Sequence, residues 1–375
     1  MLGNTFGRIF RITTCGESYG GGLATIVDGV PAGLALTEEY IQHELDKRKP
    51  GQSELDSPRK ETDRVKIFAG MLEGMTTGAP VGMIVYNVDT QKIHVDQYRE
   101  VKDVIRPGHA EYTFFVKYGE YADWCGAGRA SGRETVGRVA GGAVAKFILE
   151  QENIEVLAYV KESHGIVARN MTFEEIKANY RKNELNCPDL ETAKRMIADI
   201  LDVKKKGDTA GGVVEVIIRG VPAGLGEPVF DKLSANIAKA VMSIGATKGI
   251  EFGSGFEAAK MTGSEWNDEP YVEGGKIRFR TNHQGGFLGG ISTGQDIVFR
   301  VAVKATPTIS IDQKSVDMMT MENTKLAAIT RRDATLLPRI YPVIEAMTRC
   351  AVLDHLYMWR SWCGMQRYEN KWRDG

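Results

Sequence analysis

The hexapeptide Gly29-Val-Pro-Ala-Gly-Leu34 recurs unchanged as Gly220-Val-Pro-Ala-Gly-Leu225. Each copy follows an apolar run typical of a strand and precedes a helical pattern; the runs are 23–27 and 213–218, and the helical patterns are 38–48 and 231–244. Six identical residues in matching contexts indicate an internal repeat rather than chance. We therefore predict two related strand-turn-helix units, one in each half of the chain, and a core with pseudo-twofold symmetry.

The order of elements predicts the fold class. Strands and helices alternate without the regular rhythm of parallel βαβ units, which favours an α+β fold built in layers over a doubly wound sheet. The polar stretch 162–206 carries a capping box at Thr172 and Glu175, and we predict it to be a peripheral insertion. A last long helix is predicted over about 336–362.

The composition is that of a large globular enzyme. Apolar residues make up 42% and charged residues 26%, both ordinary values. A length of 375 residues allows two lobes or one large layered domain, and we predict a single domain over 1–375. The 48 basic and 49 acidic residues balance without a basic stripe, so no nucleic-acid partner is expected. Any anionic substrate must therefore be bound by local arginines.

The sequence also predicts the location of the protein. No apolar run approaches the ~18 residues that span a bilayer, and the first residues lack a signal peptide's basic and apolar regions. We expect a cytoplasmic protein that does not bind membranes. The five cysteines are odd in number and widely spaced, which argues against a disulfide framework and against a zinc site, so no metal is expected.

Basic residues and glycines converge on the start of one predicted helix, in Arg106-Pro-Gly-His109 and Gly128-Arg-Ala-Ser-Gly-Arg133. Ser131 and Glu134 have the spacing of a capping box, so a helix is predicted to begin near Ser131. Its first amides and macrodipole would favour an anion, and arginines flank the position. We predict a phosphate site here; an ordinary capped helix with surface arginines is the alternative.

Glycine is over-represented, with 42 residues, above a usual share of about 7%. Its clusters are typical of tight turns where the backbone approaches a ligand, and they favour a large planar or phosphorylated cofactor. No stretch has the pattern of a Rossmann fingerprint or a P-loop, so binding of a nicotinamide dinucleotide or a nucleoside triphosphate by those motifs is not predicted.

A series of motifs follows along almost the whole chain: Gly3-Asn-Thr, Thr14-Cys-Gly-Glu-Ser-Tyr-Gly, Asp28-Gly-Val-Pro-Ala-Gly, Arg106-Pro-Gly-His-Ala-Glu-Tyr-Thr, Gly128-Arg-Ala-Ser-Gly-Arg-Glu-Thr, Gly224-Leu-Gly-Glu-Pro-Val-Phe, Lys248-Gly-Ile-Glu-Phe-Gly-Ser-Gly-Phe, Asn282-His-Gln-Gly-Gly and Arg331-Arg-Asp. In this order they resemble the chorismate synthase family. The resemblance implies a β-α-β sandwich, a homotetramer, and a lyase of the shikimate pathway that eliminates phosphate from 5-enolpyruvylshikimate 3-phosphate. It also implies reduced flavin mononucleotide (FMN) as cofactor, with NADPH as a candidate reductant.

The resemblance also implies site residues. His109 would donate a proton near the flavin or the leaving phosphate, Asp333 would help the flavin accept the substrate hydrogen, and Tyr19 stands at a third catalytic position. The implied substrate contacts are Ser18, Arg48, Arg106 and Arg133. The implied flavin contacts are Arg129, Ala130, Ser131, Gly245, Ala246, Gly289, Lys304, Ala305, Thr306, Pro307, Thr308 and Arg331. From the residues alone, the alternative for Asp333 is an acid near a helix start, and the alternative for Arg48 is part of a solvated charge run.

Four positions depart from the family pattern. Tyr19 replaces a histidine and Glu54 an arginine, Cys125 stands where an arginine is usual, and Arg332 replaces the histidine of Arg-His-Asp. A phenol titrates near ~10 and does not readily supply a proton at neutral pH, and a glutamate repels phosphate. These changes indicate either compensated divergence or weakened activity. The alternatives are a paralogue acting on a related phosphorylated cyclic acid and a flavin-binding protein with a regulatory role.

Overall fold

The computed structural model describes residues 3–56, 62–88, 92–328 and 333–363. The strands in these ranges are β1 Thr5–Phe6, β2 Arg11–Gly16, β3 Gly22–Asp28, β4 Val65–Ala69, β5 Met71–Leu72, β6 Met75–Thr76, β7 Val81–Tyr86, β8 Glu155–Ser163, β9 Ile166–Val167, β10 Gly212–Arg219, β11 Thr247–Phe252, β12 Pro270–Glu273, β13 Lys276–Phe279, β14 Phe287–Leu288, β15 Ile291–Ser292, β16 Ile297–Val303, β17 Gln313–Asp317 and β18 Glu322–Leu326. The helices are α1 Glu38–Asp46, α2 Lys92–Glu100, α3 Glu111–Tyr118, α4 Thr135–Gln151, α5 Phe173–Asn179, α6 Leu190–Lys205, α7 Leu233–Met242, α8 Gly263–Trp266 and α9 Leu337–Cys363.

Two five-stranded antiparallel sheets enclose a layer of helices. Sheet 1 has the strand order β1-β2-β3-β7-β4, and sheet 2 has the order β9-β8-β10-β16-β11. Helix α4 packs on β2 and β3, helix α9 packs on β8 and β10, and the two helices pack against each other. The predicted α+β sandwich is confirmed, and its layers are sheet, helices and sheet.

The two halves repeat the same topology. Taken in spatial order, strand β3 of sheet 1 corresponds to β10 of sheet 2, and α1 and α4 correspond to α7 and α9. A short separate hairpin lies at the equivalent connection in each half: β5-β6 between strands β4 and β7, and β14-β15 between β11 and β16. The predicted internal repeat is therefore present in the topology as well as in the hexapeptides.

Each hexapeptide is closed by one buried hydroxyl. In the first copy the Thr76 Oγ1 accepts from the N–H of Leu34 at 2.9 Å and donates to the carbonyl of Pro31 at 2.6 Å. In the second copy the Ser292 Oγ accepts from Leu225 at 2.8 Å and donates to the carbonyl of Pro222 at 2.7 Å. Because the same backbone groups are satisfied in the same way, each hexapeptide forms an equivalent turn from strand to helix.

Only glycine fits the first position of each hexapeptide. Gly29 and Gly220 have φ of 80° and 85°, in the left-handed region. A Cβ at Gly29 would lie 2.1 Å from the carbonyl oxygen of Ile9, and one at Gly220 would lie 2.2 Å from that of Asn153. Both the dihedral angle and the close backbone therefore require glycine.

The stretch 162–206 is partly built into the sandwich. It begins inside β8, and β9 pairs with β8 at the edge of sheet 2. Helix α5 begins with the predicted capping box: the Thr172 side chain accepts from the N–H of Glu175, and the Glu175 side chain accepts from the N–H of Thr172. Met196 and Ile200 of helix α6 lie in the main core. The last long helix is also confirmed, as α9.

Helices α4 and α9 pack so closely that Gly142 of α4 lies directly against Ala346 of α9. A Cβ at Gly142 would lie 2.3 Å from the Cβ of Ala346 and 2.5 Å from its Cα. We expect Gly142→Ala to lower the free energy of unfolding by about 1–3 kcal/mol, because the two helices must separate. Gly263→Ala is the control, since a Cβ there meets no described atom within 4 Å. Chemical denaturation of the three proteins measures the difference, and equal stability of both variants would contradict close packing of the helices.

Candidate functional site

A cavity of about 650 Å³ opens where the helix layer meets the loops at one end of the sandwich. Its volume lies within the ~300–1,000 Å³ that small-molecule sites occupy. Both α4 and α9 begin at its wall, because Thr135 and Arg138 of α4 and Ile340 and Val343 of α9 line it. Their N-terminal ends, where the macrodipole is positive, therefore both face one cavity.

Most of the residues that the sequence implied meet at this cavity. The lining residues from that set are Ser18, Arg48, Arg106, His109, Arg129, Ala130, Ser131, Arg133, Gly245, Ala246, Lys304, Thr306, Pro307, Thr308 and Asp333. They come from segments that lie between positions 18 and 333 of the chain, and from both halves of the repeat. Tyr19, Gly289 and Ala305 are not among the lining residues. Arg331 and Arg332 lie outside the described residues.

The turn before α4 differs from the prediction in detail. Ser131 accepts from the N–H of Arg133 at 3.2 Å and begins a 3-10 turn, Gly132–Glu134, that leads into α4 at Thr135. The predicted capping box is not formed, because Glu134 accepts from Arg138 Nε at 2.7 Å instead. The ion pair between Glu134 and Arg138, four residues apart, thus replaces the reciprocal hydrogen bonds of a capping box.

Arg129 is held rigidly by neutral acceptors. Its guanidinium donates to the Thr14 Oγ1 at 2.8 Å, to the carbonyl of Gly16 at 3.0 Å and to the Asn4 Oδ1 at 3.2 Å. Lys304 likewise donates its Nζ to the carbonyl of Gly108 at 2.6 Å. Among the described residues neither cation contacts a carboxylate, so both charges are uncompensated at the cavity wall.

Five other arginines of the lining have acidic partners. Arg106 pairs with Glu111, Arg138 with Glu134, and Arg339 with Asp333; Arg133 and Arg48 both pair with Asp63. Asp63, Arg138 and Arg339 are not among the site residues that the sequence predicted. The only signal for Arg138 was its position four residues after Glu134, and Asp63 lies in a charged stretch that does not distinguish it.

The segment around His109 docks on the segment that follows β16. The His109 Nε2 lies 2.9 Å from the Thr308 Oγ1, and a Cβ at Gly108 would lie 2.8 Å from the Cβ of Pro307. Burial lowers the pKa of His109 to about 3, and the charges of Arg106 and Lys304 add to the effect. The imidazole is therefore neutral at physiological pH in the protein without a bound anion.

An anion in the cavity should offset the part of this shift that comes from the neighbouring positive charges. The lowered pKa disfavours the folded state as the pH falls from about 6.5 towards 3, because the unfolded chain then binds a proton that the folded imidazole does not. A phosphate-bearing ligand offsets the positive charge of Arg106 and Lys304 but not the burial of His109, so its binding at pH 6 should take up a fraction of one proton. Calorimetric titration with inorganic phosphate in buffers of different ionisation enthalpy measures this uptake.

His355 supplies the control for the proton uptake. It is also buried with a lowered pKa, of about 4, but it lies outside the cavity lining and pairs with Asn236. The uptake should disappear in His109→Gln and persist in His355→Gln. Uptake of the same size in both variants would show that another group binds the proton.

Tyr19 lies behind the wall of the cavity. Its ring packs edge-on against the ring of Tyr98, with centroids 5.6 Å apart. Tyr98 lines the cavity, and the guanidinium carbon of Arg106 lies over its ring, 5.5 Å from the centroid. Glu54 is exposed and is not part of the lining. In this structure both residues are therefore removed from the cavity surface, and a catalytic role for Tyr19 stays a prediction.

The fold and the cavity together define a class of protein: an α+β enzyme whose site, lined by cations and by two helix N-termini, suits a ligand with several negative charges. A family model described as chorismate synthase matches residues 10–357. The chain belongs to the chorismate synthase family. It is a lyase that forms chorismate in the shikimate pathway.

Relatives and a solved structure agree with this assignment. The chain is 59% identical to a chorismate synthase of Acetivibrio thermocellus, with 96% of this chain and 95% of the relative covered. It is 52% identical to one of Methanosarcina barkeri over 95% and 96% of the two chains, and 48% identical to one of Synechocystis over 96% and 99%. A crystal structure of chorismate synthase superposes with a TM-score of 0.73 at 32% identity, covering 94% of this chain and 92% of that one. These findings do not favour the paralogue or the regulatory protein.

Proposed function

We propose that the cavity binds reduced FMN beside 5-enolpyruvylshikimate 3-phosphate, and that phosphate leaves the substrate there. The observation that carries the proposal is the pair of uncompensated cations, Arg129 and Lys304, at a wall where two helices begin. Fixed cations and helix N-termini are the groups that bind phosphate. Both residues belong to the set that the family resemblance assigns to flavin.

The residues present fit a flavin. Glycine and alanine backbone at 245–246 and around Ser131 offers donors without side chains in the way, and Leu336, Ile340 and Val343 supply an apolar surface for a planar ring. The groups that would hold it are Arg129, Ala130, Ser131, Gly245, Ala246, Lys304, Thr306, Pro307 and Thr308. When bound, reduced flavin supplies the transient electron donation that helps a phosphate group depart without net oxidation of the substrate.

Three arginines would bind the anionic groups of the substrate. Arg48, Arg106 and Arg133 line the cavity, and each is oriented by a carboxylate: Asp63 for the first and third and Glu111 for the second. A guanidinium presents its donors in a planar fork that matches phosphate and carboxylate. An oriented fork binds with less loss of side-chain entropy than a mobile one.

Two side chains would move protons. The Nε2 of His109 is engaged by Thr308, and the described residues place no hydrogen-bond partner on its Nδ1, so we assign proton donation to Nδ1. The carboxylate of Asp333 accepts from Arg339 Nη1 at 2.7 Å, which fixes its orientation at the wall. As the resemblance implies, we assign to that carboxylate the role of helping a bound flavin to accept the hydrogen that leaves the substrate ring.

The family resemblance also carries proposals on assembly, reductant and location. We propose a homotetramer in the cytoplasm, with NADPH as a candidate reductant. The outer face of sheet 1 supports assembly, because Ile26, Phe68 and Tyr86 on it are 48%, 61% and 55% exposed. The corresponding face of sheet 2 is instead covered by Phe173 and Ile176 of helix α5. None of the described helices combines the length and the hydropathy needed to cross a bilayer.

The experiment that tests the proposal is an anaerobic turnover assay. The purified protein is mixed with reduced FMN and 5-enolpyruvylshikimate 3-phosphate, and chorismate and phosphate are measured together. We expect the two products in equal amounts and no turnover with oxidised FMN. Equal turnover without any flavin, or no detectable binding of FMN in either redox state, would overturn the cofactor assignment.

A further inference from the structure

A buried carboxylate lies between two of the substrate arginines. Asp63 is only 1% exposed, its Oδ1 forms an ion pair with Arg133 Nη1, and its Oδ2 lies 3.6 Å from Arg48 Nη2. Arg48 and Arg133 are themselves 2% and 8% exposed, and both line the cavity. One carboxylate therefore contacts two buried cations that face the ligand.

The backbone holds this carboxylate in place. Asp63 has a φ of 46°, in the left-handed region, and it comes two residues before strand β4. The N–H of Val65, at the start of that strand, donates to the Gln42 Oε1 at 3.0 Å, which ties the segment to helix α1. Left-handed backbone is costly for a residue other than glycine and persists where the surroundings enforce it. The position of the Asp63 side chain is thus set by the sheet and the helix together.

Arg133 is held from a second side. Its Nε donates to the Asn87 Oδ1 at 3.0 Å, and the Asn87 Nδ2 donates to the carbonyls of Glu17 and Gly20 at 2.9 and 2.8 Å. The guanidinium thus lies between Asn87 and Asp63. A change of Asp63 to asparagine would keep an oxygen acceptor for Arg133 and remove only the negative charge.

Two buried guanidinium groups that face one cavity repel each other, because burial reduces screening by water. A nearby carboxylate offsets that repulsion, and a bound phosphate would offset it from the opposite side. We propose that Asp63 is a positioning residue: it holds Arg48 and Arg133 and compensates their charge until an anionic group of the substrate takes over part of that role. The proposal rests on the proposed function, since it takes these arginines as the substrate anion site.

Phosphate binding to Asp63→Asn tests the proposal. With Arg133 still held by Asn87 and the new amide but without the negative charge of Asp63, the Kd for inorganic phosphate should fall at least threefold, and phosphate should raise the Tm more than in the wild-type chain. Titration calorimetry and thermal unfolding with and without phosphate measure both. A smaller decrease in Kd, or any increase, would overturn the proposal.

Asp354→Asn is the matched control. Asp354 accepts from the N–H groups of Ile9 and Phe10 at 2.7 and 3.0 Å and lies outside the cavity lining. Its substitution should lower the Tm without changing the Kd for phosphate. A change of Kd in both variants would trace the effect to general loss of stability and would count against Asp63.

A second variant keeps the test decisive if Asp63→Asn does not fold. Arg133→Gln removes one of the two cations. Asp63→Asn should therefore lower the Tm of the Arg133→Gln variant much less than it lowers the Tm of the wild type. An equal cost in both backgrounds, or a double variant that fails to fold while Arg133→Gln folds, would overturn the compensating role. This comparison needs no ligand. Failure of the wild-type chain to bind phosphate would therefore count against the proposed function alone.

Discussion

Asp333→Asn should lower kcat at least ~10²-fold while the Kd for reduced FMN changes no more than a few-fold. The carboxylate lies at the cavity wall and its orientation is fixed by Arg339 Nη1 at 2.7 Å. An asparagine keeps the shape and an oxygen acceptor for Arg339, but an amide is a poor base. Single-turnover phosphate release under anaerobic conditions and a separate flavin titration measure the two quantities.

The control for this substitution is Asp296→Asn. Asp296 pairs with Arg219 at 2.7 Å, a carboxylate-guanidinium pair like that of Asp333, and it is not among the residues that line the cavity. Turnover should be unchanged there. If Asp333→Asn turned over at the wild-type rate, Asp333 would be an acid near the start of helix α9 with no part in the chemistry.

Arg129→Ala should raise the Kd for reduced FMN by about 10- to 100-fold, the loss expected for one hydrogen bond to a charged group. Arg129 brings an uncompensated charge to the cavity and presents it from a fixed position, because its other donors bind β2 and the chain before it. The same contacts predict a lower Tm for the variant. Anaerobic fluorescence titration and thermal unfolding separate the two effects.

Two further variants decide what Arg129 contributes. Arg129→Lys keeps the charge and loses the fork, so its Kd should lie between those of the wild type and the alanine variant. Arg11→Ala removes an exposed arginine of strand β2 that pairs with Asp28 outside the cavity lining, and its Kd should not change. Unaltered flavin binding by Arg129→Ala would show that Arg129 does not bind the flavin and only stabilises the first strands.

The internal repeat shows how much of the fold the sequence could predict. Two identical hexapeptides were enough to locate equivalent turns, because glycine at a left-handed position and proline leave few conformations open. Their hydroxyl partners were not predictable. One is Thr76 and the other Ser292, and they lie 42 and 67 residues beyond the N–H groups that they accept from.

In the candidate site, too, the sequence predicted individual residues but not the contacts between them. Motifs predicted that His109 and Thr308 matter, but the contact between them joins positions 199 residues apart and depends on how two loops pack. Asp63 carries no signal of its own, because an acid among other charged residues is ordinarily solvated. It differs only in being buried, and burial is set by the tertiary fold.

Neither half of the repeat contains the cavity by itself, and this has a consequence for biosynthesis. Ser18 is translated long before Ile340 and Val343, which follow every strand of both sheets in the chain. Until helix α9 emerges and packs on α4, the cavity lacks the wall that α9 forms, and a phosphate-bearing ligand is not enclosed. Ligand can therefore add its full stabilisation only after α9 has packed, so the two sheets must fold without it.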